Sequence, residues 1–415
     1  MESDQKPHSK TLASQVTVDS DAPTGPALEI KPSKEMPAWK RGMFAGIYLY
    51  FFLCSIKVMG DGLKSLGEAS PLLEDMLSWG DQNPFLALFA GVLITAIVQS
   101  SSFTTSLIIT LVAAGTLKLD TAVYMVMGAN IGTSITGIII AMGHMRLKRQ
   151  FRRAFTAALV HGIVNLLTVV VLFPLEWISS VFAEDGRGVM TRFAVWSAQA
   201  MGLDDLGDQF DPIKVITKPV VKSIEWFFEL ITTNPVIQGS GIAIVGFILL
   251  LTSLVLMVMN LRGALLSRIE GLFRRIFFRN DAMAYSVGTL TTILVQSSSV
   301  STGIIIPLAG AGVVKLKRVF PFMLGANLGT TVTGIIAATA VPVQAAVAVA
   351  ITHVVFNVFG TVIWYPLRRV PIGLARWYGK LAAKSKKYAF LFLFVIFVLI
   401  PLVGIGLTQL MLQRG

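Results

Sequence analysis

The sequence predicts an all-α, polytopic membrane protein built from two inverted-topology repeats, each with a re-entrant helical hairpin that carries the motif Gln-Ser-Ser-Ser. Three observations predict this fold class. The chain is 54% hydrophobic and only 14% charged, which is too apolar for a soluble protein of 415 residues. Its two halves resemble each other, and its basic residues cluster beside apolar segments.

The chain opens with a polar stretch, residues 1–40, which lacks the apolar core of a secretory signal peptide and is predicted to be a disordered cytoplasmic tail. Seven later segments are apolar and long enough to cross about 30 Å of hydrocarbon. They cover residues 43–59, 122–142, 155–182, 241–261, 319–341, 343–367 and 388–410. Two further apolar regions, 85–117 and 282–314, carry a serine run at their centres.

The internal repeat aligns without a gap over its most polar part. The stretch "LITAIVQSSSFTTSLIITLVAAGTLKLDTAVYMVMGANIGTSITG" (93–137) matches "LTTILVQSSSVSTGIIIPLAGAGVVKLKRVFPFMLGANLGTTVTG" (290–334), with nearly half of the positions identical. After a short shift, "HGIVNLLTVVVLFP" (161–174) matches "HVVFNVFGTVIWYP" (353–366). Each half is therefore predicted to contain a serine-bearing unit, a GANxGTxxTG segment and a helix with His and Asn.

Loop charge predicts the topology. Basic clusters at residues 146–153, 261–279, 315–318 and 367–387 border apolar segments and indicate the cytoplasmic side, whereas the acidic linker 183–240 indicates the outside. Regions 85–117 and 282–314 must then cross the membrane an even number of times, either as two short helices or as a hairpin that turns back at Gln-Ser-Ser-Ser. The two hairpins begin on opposite faces, which is typical of secondary transporters.

This count divides the chain into five parts. A first repeat unit (41–182) follows the tail, and an extracellular linker (183–240) leads to a second repeat unit (241–367). A basic segment with a final transmembrane helix (368–415) ends the chain. The amino terminus is predicted to lie in the cytoplasm and the carboxyl terminus outside the cell membrane.

The serine runs predict an anion site. A helix that begins at membrane depth presents unpaired N–H groups with a partial positive charge, and serine at that point caps the helix and adds hydroxyl donors. Two such breaks are predicted to present Ser100 and Ser101 opposite Ser297 and Ser298, with an oxyanion between them. No Lys or Arg lies within these apolar runs that could bind the anion instead.

The repeated GANxGTxxTG segments predict a site for a small cation such as sodium. Their side-chain oxygens are hard neutral ligands, and glycines that loosen the helix are predicted to free carbonyls. The candidates are Gln99, Asn130, Thr133, Thr136, Gln296, Asn327, Thr330 and Thr333. The alternative is close helix packing by small residues, which one copy alone would favour and two matched copies disfavour.

Two His/Asn pairs occupy matching places in the repeat. Asn165 follows His161 by one helical turn, as Asn357 follows His353, so that each pair shares a helix face. The asparagines fit packing and cation ligation equally well. The histidines are interpreted as hydrogen-bonded structural residues rather than as proton relays or catalytic bases.

These motifs, with "FRRAF", "VHG" and "LFPLE" between residues 151 and 176, resemble the type II sodium-phosphate cotransporter family. The resemblance covers roughly residues 43–410. It implies sodium-driven phosphate uptake with sodium as the co-transported ion, no organic cofactor, and phosphate bound by Ser100, Ser101, Ser102, Ser297, Ser298 and Ser299. Matched by motif, Gln296, Thr330 and Thr333 correspond to one sodium site, and Asn165 corresponds to another.

Departures from the family pattern refine this expectation. Electrogenic members carry an aspartate where this chain has Gly162, as electroneutral members do, which implies two sodium ions per HPO4 dianion and no net charge moved. The linker lacks the cysteines of animal relatives, and the family's far carboxyl-terminal helix and tail are unmatched. Both absences imply a bacterial-type or trimmed member.

Other functions stay open at this point. The same fold would suit sulfate, arsenate or a dicarboxylate, phosphate export, or a passive anion channel. An intramembrane serine hydrolase would need a serine activated by His161 or His353, but the chain has no GxSxG elbow, so it is predicted not to be an enzyme.

The net charge of +12 is assigned to cytoplasmic loops beside the lipid bilayer, with anionic-lipid contact as a secondary role and no binding of nucleic acid. The oligomeric state is left open.

Overall fold

The computed structural model describes residues 36–69, 83–201, 212–272, 280–341 and 343–412. These residues form helices joined by short connections, and they contain no β-strand. Most of the predicted tail (1–35) and the most acidic part of the linker (202–211) lie outside the described residues. The helices are α1 Ala38–Ala69, α2 Pro84–Val98, α3 Ser101–Ala113, α4 Leu119–Met142, α5 Lys148–Val181, α6 Val189–Ala200, α7 Pro212–Ile231, α8 Pro235–Leu272, α9 Asp281–Val295, α10 Ser298–Ala311, α11 Leu316–Ala340, α12 Gln344–Trp364, α13 Arg369–Lys384, α14 Lys387–Phe394 and, after a π-helical turn Val395–Leu399, α15 Ile400–Leu412.

Within the described residues, seven helical segments are long and apolar enough to cross a membrane. They are α1, α4, α5, α8, α11, α12 and the continuous helix formed by α14, the π-helical turn and α15. Each overlaps one of the seven segments expected from the sequence. The prediction of an all-α, multi-pass membrane protein is therefore confirmed.

The two serine-bearing regions each form a pair of short helices. Helices α2 and α3 have 15 and 13 residues, and α9 and α10 have 15 and 14. At 1.5 Å per residue each is about 20 Å long, which is shorter than the hydrocarbon core of a bilayer. Within each pair the chain breaks at Gln-Ser-Ser-Ser, as the sequence predicts.

The glycines of the repeated segments lie at close helix contacts. A Cβ on Gly128 of α4 would come within 2.0 Å of the carbonyl O of Leu88 in α2, and one on Gly325 of α11 would come equally close to the carbonyl O of Tyr285 in α9. Helices α4 and α11 are continuous through these glycines. The expectation that glycines loosen the helix and free carbonyls is therefore wrong, because the missing side chains allow close packing instead.

The two copies of the repeat interlock in the core. Helix α3 of the first copy packs on α11 and α12 of the second, and α10 of the second packs on α4 and α5 of the first. Phe103 of α3 and Phe320 of α11 are among the most deeply buried side chains. The two broken helix pairs are thereby brought to the same region of the protein.

The predicted linker 183–240 is more regular than its polarity indicates. It contains α6, α7 and the first turn of α8. The buried carboxylate of Glu176 in α5 accepts hydrogen bonds from the amides of Met190 and Thr191, at 2.7 and 3.1 Å, and so caps the start of α6. This cap comes from the preceding helix, 14 residues before Met190, so the sequence next to α6 could not reveal it.

Candidate functional site

Each Gln-Ser-Ser-Ser run forms a sharp break with the same backbone geometry. Gln99 and Gln296 adopt the left-handed conformation, with φ values of 57° and 56°, and they are the only non-glycine residues with positive φ in the described part of the chain. Such a conformation is unfavourable outside glycine and persists where the surrounding structure enforces it. The serine after each glutamine, Ser100 or Ser297, caps the next helix, as predicted.

The capping bonds define where the free amides lie. The hydroxyl of Ser100 accepts from the amide of Phe103 at 3.2 Å, and that of Ser297 accepts from the amide of Val300 at 3.4 Å. The first backbone bond of α3 runs from the amide of Thr104 to the carbonyl of Ser100. The amides of the first helical residues therefore have no helical acceptor, and they point out of the helix start.

In each broken pair, a hydrogen bond between two side-chain hydroxyls joins the helix before the break to the helix after it. Thr95 of α2 donates to Thr104 of α3 at 2.9 Å, and Thr292 of α9 donates to Ser301 of α10 at 2.8 Å. All four side chains are buried, and the two bonds occupy matching places in the repeat. They were not among the predicted site residues, although their matched positions in the aligned copies were the signal that could have identified them.

The two tips, residues 99–102 and 296–299, touch each other through reciprocal contacts. The Ser102 hydroxyl lies 3.5 Å from the carbonyl O of Gln296, and the Ser299 hydroxyl lies 3.3 Å from the carbonyl O of Gln99. Exchanging the two copies of the repeat converts one contact into the other. The predicted meeting of the serine runs is therefore present, but Ser102 and Ser299 make the direct contacts.

The remaining serines of the tips lie beside these contacts. Ser101 and Ser298 are the first helical residues of α3 and α10, and both are buried. Their hydroxyls and the free amides of the helix starts are the donors that the sequence predicts for an oxyanion, and this role stays a prediction. Four of the six predicted serines, Ser101, Ser102, Ser298 and Ser299, thus supply hydroxyls that are not used as caps.

A cluster of side-chain oxygens lies beside the second tip. The Thr333 hydroxyl of α11 donates to Oε1 of Gln296 at 2.8 Å and lies 3.3 Å from the Ser102 hydroxyl. The amide nitrogen of Gln296 donates to the carbonyl O of Ile293, which fixes the side chain with its oxygen toward Thr333. Two predicted cation ligands are thus brought together with one predicted anion ligand.

The matching place in the first copy is arranged differently. The Thr136 hydroxyl is buried and has no hydrogen-bond partner, so it makes no bond with Gln99. Thr133 and Thr330 bond the carbonyls of Ala129 and Ala326 in their own helices, at 3.0 and 2.9 Å. Such bonds use the hydroxyl proton and leave oxygen lone pairs for another ligand.

The predicted asparagines form a second buried network. Asn327 donates to Oδ1 of Asn165 at 2.6 Å, and Asn357 donates to Oδ1 of Asn130 at 3.3 Å. The repeat relates these two bonds, each of which joins one copy to the other. Asn130, Asn165 and Asn327 are therefore brought together, but they bond one another rather than converging on Gln296 and Thr333.

The histidines differ between the copies. His161 Nε2 lies 2.6 Å from Oδ1 of Asn327, which confirms its interpretation as a hydrogen-bonded structural residue. His353 is equally buried, and Nδ1 has no partner in either histidine, so the copies differ in the bond that His161 Nε2 makes with Asn327. In the described part of the chain, no hydrogen bond joins His161 or His353 to a serine of the two tips.

Fold and site together define a multi-pass membrane protein in which two broken helix pairs, one from each copy of a repeat, meet at their serine-bearing tips. The chain belongs to the Na+/Pi-cotransporter family, whose model matches residues 51–180 and 249–377. These two segments correspond to the two copies of the repeat. The resemblance to type II sodium-phosphate cotransporters is thereby confirmed.

Several relatives align with most of this chain. Sodium-dependent phosphate transport protein 2A of Ovis aries is 31% identical over 438 residues, which covers 87% of this chain and 67% of that protein. The 2A protein of Mus musculus is 32% identical, with 87% and 67% covered. Sodium-dependent phosphate transport protein 2B of Homo sapiens is 29% identical, with 87% and 64% covered. No solved structure matches the chain significantly.

Proposed function

We propose that this protein is a secondary active transporter that couples sodium influx to the transport of inorganic phosphate as the HPO4 dianion. The reciprocal contacts between Ser102 and Gln296 and between Ser299 and Gln99 carry this proposal, since they bring two helix starts and their serines to one place. Family membership and the names of the relatives support the cargo and the coupling ion.

Phosphate binding follows from the donors at the tips. A dianion at membrane depth needs several donors and compensation of its charge, and two helix starts supply partial positive charge without a buried cation. We assign the phosphate contacts to the amides at the starts of α3 and α10 and to the serine hydroxyls, above all Ser101, Ser102, Ser298 and Ser299. Ser100 and Ser297 hold the helix starts in place as caps.

Sodium binding follows from the neutral oxygens beside the tips. Gln296 and Thr333 already converge and, with Thr330 one turn away, form the proposed site of the second copy. The buried, unpartnered hydroxyl of Thr136 supports a matching site in the first copy with Gln99 and Thr133. Asn165, with Asn130 and Asn327, is the proposed ligand set of the asparagine network.

The membrane arrangement is part of the proposal. The pairs α2/α3 and α9/α10 form re-entrant hairpins that enter from opposite sides, within inverted repeat units 41–182 and 241–367. Alternating access would expose the meeting point of the tips to one side of the cell membrane at a time. The amino terminus is assigned to the cytoplasm, the linker 183–240 and the carboxyl terminus to the outside.

Uptake of labelled phosphate into liposomes with and without an inward sodium gradient tests this function. We expect sodium-dependent uptake that falls at least about tenfold in Ser101→Ala and in Ser298→Ala, because each change removes a hydroxyl donor to a charged ligand. Ser223→Ala, which alters an exposed hydroxyl bonded to the carbonyl of Pro219 in its own helix, is the control. Phosphate uptake that does not depend on sodium would indicate an anion channel. If sulfate or arsenate competed with labelled phosphate as well as unlabelled phosphate does, the assignment of phosphate as the cargo would be wrong.

Electroneutral transport is a separate expectation. Two sodium ions with one HPO4 dianion move no net charge, so the membrane potential, worth about 2.3 kcal/mol per charge per 100 mV, would add nothing. A tenfold sodium gradient supplies about 1.4 kcal/mol per ion, so two ions together support roughly hundredfold phosphate accumulation. We expect no sodium-dependent phosphate current in voltage-clamped membranes. A measurable current would contradict the stoichiometry but not the cargo.

A further inference from the structure

A basic cavity lies at the far end of α10 from the serine tips. It has a volume of about 560 Å³ and lies between the start of α5, the turn from α10 to α11, and α13. Helix α10 has 14 residues, so its cavity end lies about 20 Å from its serine end. Six cations line the cavity: Arg152, Arg153, Lys315, Lys317, Arg376 and Lys380.

These cations come from three separate parts of the chain, and none of the described residues that line the cavity is acidic. A neighbouring cavity provides a contrast, because Asp281 lines it and pairs with Arg318 and Arg368. Partial burial opposes ionisation of Asp281, but the hydrogen bond from Arg368 and the two positive charges hold its pKa below the usual value. The general excess of positive charge on the cytoplasmic side explains why the basic cavity is positively charged. It does not explain why six cations converge on one concave site.

The walls of the cavity are held in place by close packing. A Cβ on Gly379 of α13 would come within 2.2 Å of Oγ1 of Thr156 in α5, so α13 lies directly against α5. At the turn after α10, Gly312 has a φ of +84°, and the guanidinium of Arg153 lies so close that it would clash with a Cβ at this position. The cavity is therefore a built feature of the fold rather than a loose arrangement of surface side chains.

Helix α13 is amphipathic, with an exposed apolar face beside the cavity. Val370, Leu374 and Trp377 follow one another at helical spacing, and they are 47%, 41% and 61% exposed. Arg376 and Lys380 flank them and line the cavity. Basic and apolar residues arranged in this way are typical of a helix that lies in the headgroup region of a membrane.

We propose that this cavity binds the phosphate group of an anionic lipid headgroup, with the acyl chains lying against the apolar face of α13. Several cations around one concave site suit the phosphodiester of an anionic headgroup, because such a headgroup has no ammonium group of its own to neutralise the phosphate, as a zwitterionic headgroup does. The proposal concerns a site about 20 Å from the serine tips and does not depend on the transported cargo.

Native mass spectrometry of the full chain in uncharged detergent, titrated with phosphatidylglycerol, tests the proposal. We expect Arg376→Gln with Lys380→Gln to weaken binding at least about tenfold, since each cation near an anionic lipid contributes roughly a factor of five. Lys384→Gln with Lys386→Gln removes the same charge from the same basic segment outside the cavity, and this control is expected to change binding less than about twofold. Phosphatidylcholine with identical acyl chains is expected to bind weakly and equally to all variants.

Two results would overturn the proposal. Equal weakening by both double substitutions would indicate diffuse attraction to a basic surface rather than a site. Displacement of phosphatidylglycerol by inorganic phosphate at similar concentration would assign the cavity to the free ion and exclude the lipid as its occupant. Glycerol 3-phosphate, which has the headgroup chemistry without acyl chains, separates the contribution of the charge from that of the apolar face.

Discussion

Replacing Thr333 by valine is expected to raise the sodium concentration needed for half-maximal phosphate uptake at least about tenfold, with a similar effect for Gln296→Leu. The Thr333 hydroxyl bonds Oε1 of Gln296 and lies beside the Ser102 hydroxyl, so it stands between the proposed sodium and phosphate sites. Losing one oxygen that contacts an ion costs about 1.5–3 kcal/mol. Initial uptake rates in liposomes, measured over a range of sodium concentrations, provide the test.

Thr339→Val is the matched control for this change. Thr339 lies further along the same helix, is exposed, and bonds the carbonyl of Ile336 in its own backbone. It is expected to leave the sodium dependence unchanged. If Thr333→Val altered the phosphate dependence alone and left the sodium dependence intact, Thr333 would belong to the phosphate site and the sodium assignment would be wrong.

Replacing Asn327 by alanine is expected to lower the free energy of unfolding by about 2–5 kcal/mol, because it leaves two buried polar groups without partners. Asn327 bonds His161 through Oδ1 and Asn165 through Nδ2, both at 2.6 Å. The change also removes the two hydrogen bonds by which this residue of the second copy contacts His161 and Asn165 of the first copy. Melting temperature in detergent, followed by intrinsic fluorescence, measures the loss.

The first copy of the repeat offers the control for Asn327. Asn130 occupies the matching position, but its Nδ2 bonds the carbonyl of Val126 in its own helix, and its cross-copy bond is long at 3.3 Å. Asn130→Ala is therefore expected to destabilise less. Asn165→Ala combined with Asn327→Ala is expected to cost less than the sum of the two single changes, because they share one bond. Equal losses at Asn130 and Asn327 would show that the network does not act through the bonds described.

The spans and the breaks were predictable because they follow from local properties of the chain. Apolar length fixes the seven long helices. A Gln-Ser-Ser-Ser run in two matching places fixes the breaks, since serine favours a helix start. The helices α6 and α7 were missed because polar composition was interpreted as a loop, and the cap from Glu176 that holds α6 depends on tertiary structure.

The details of the site were less predictable because they depend on contacts between distant residues. Glycines of the GANxGTxxTG segments serve packing against Leu88 and Tyr285 rather than loosening the helix. The difference between Thr333, which bonds Gln296, and Thr136, which has no partner, could not be derived from two nearly identical sequences. Identical side chains differ here because each copy packs against different neighbours.

The reciprocal contacts between the two copies bear on how such a protein could have arisen. The two bonds between the tips, and the side-chain bonds Asn327–Asn165 and Asn357–Asn130, link a residue of one copy to a residue of the other. A primitive polypeptide with only one copy would leave those groups unmatched, and it could satisfy them only by pairing with a second molecule of itself. Gene duplication and fusion would then have turned a homodimer into one chain, in which each half could diversify separately.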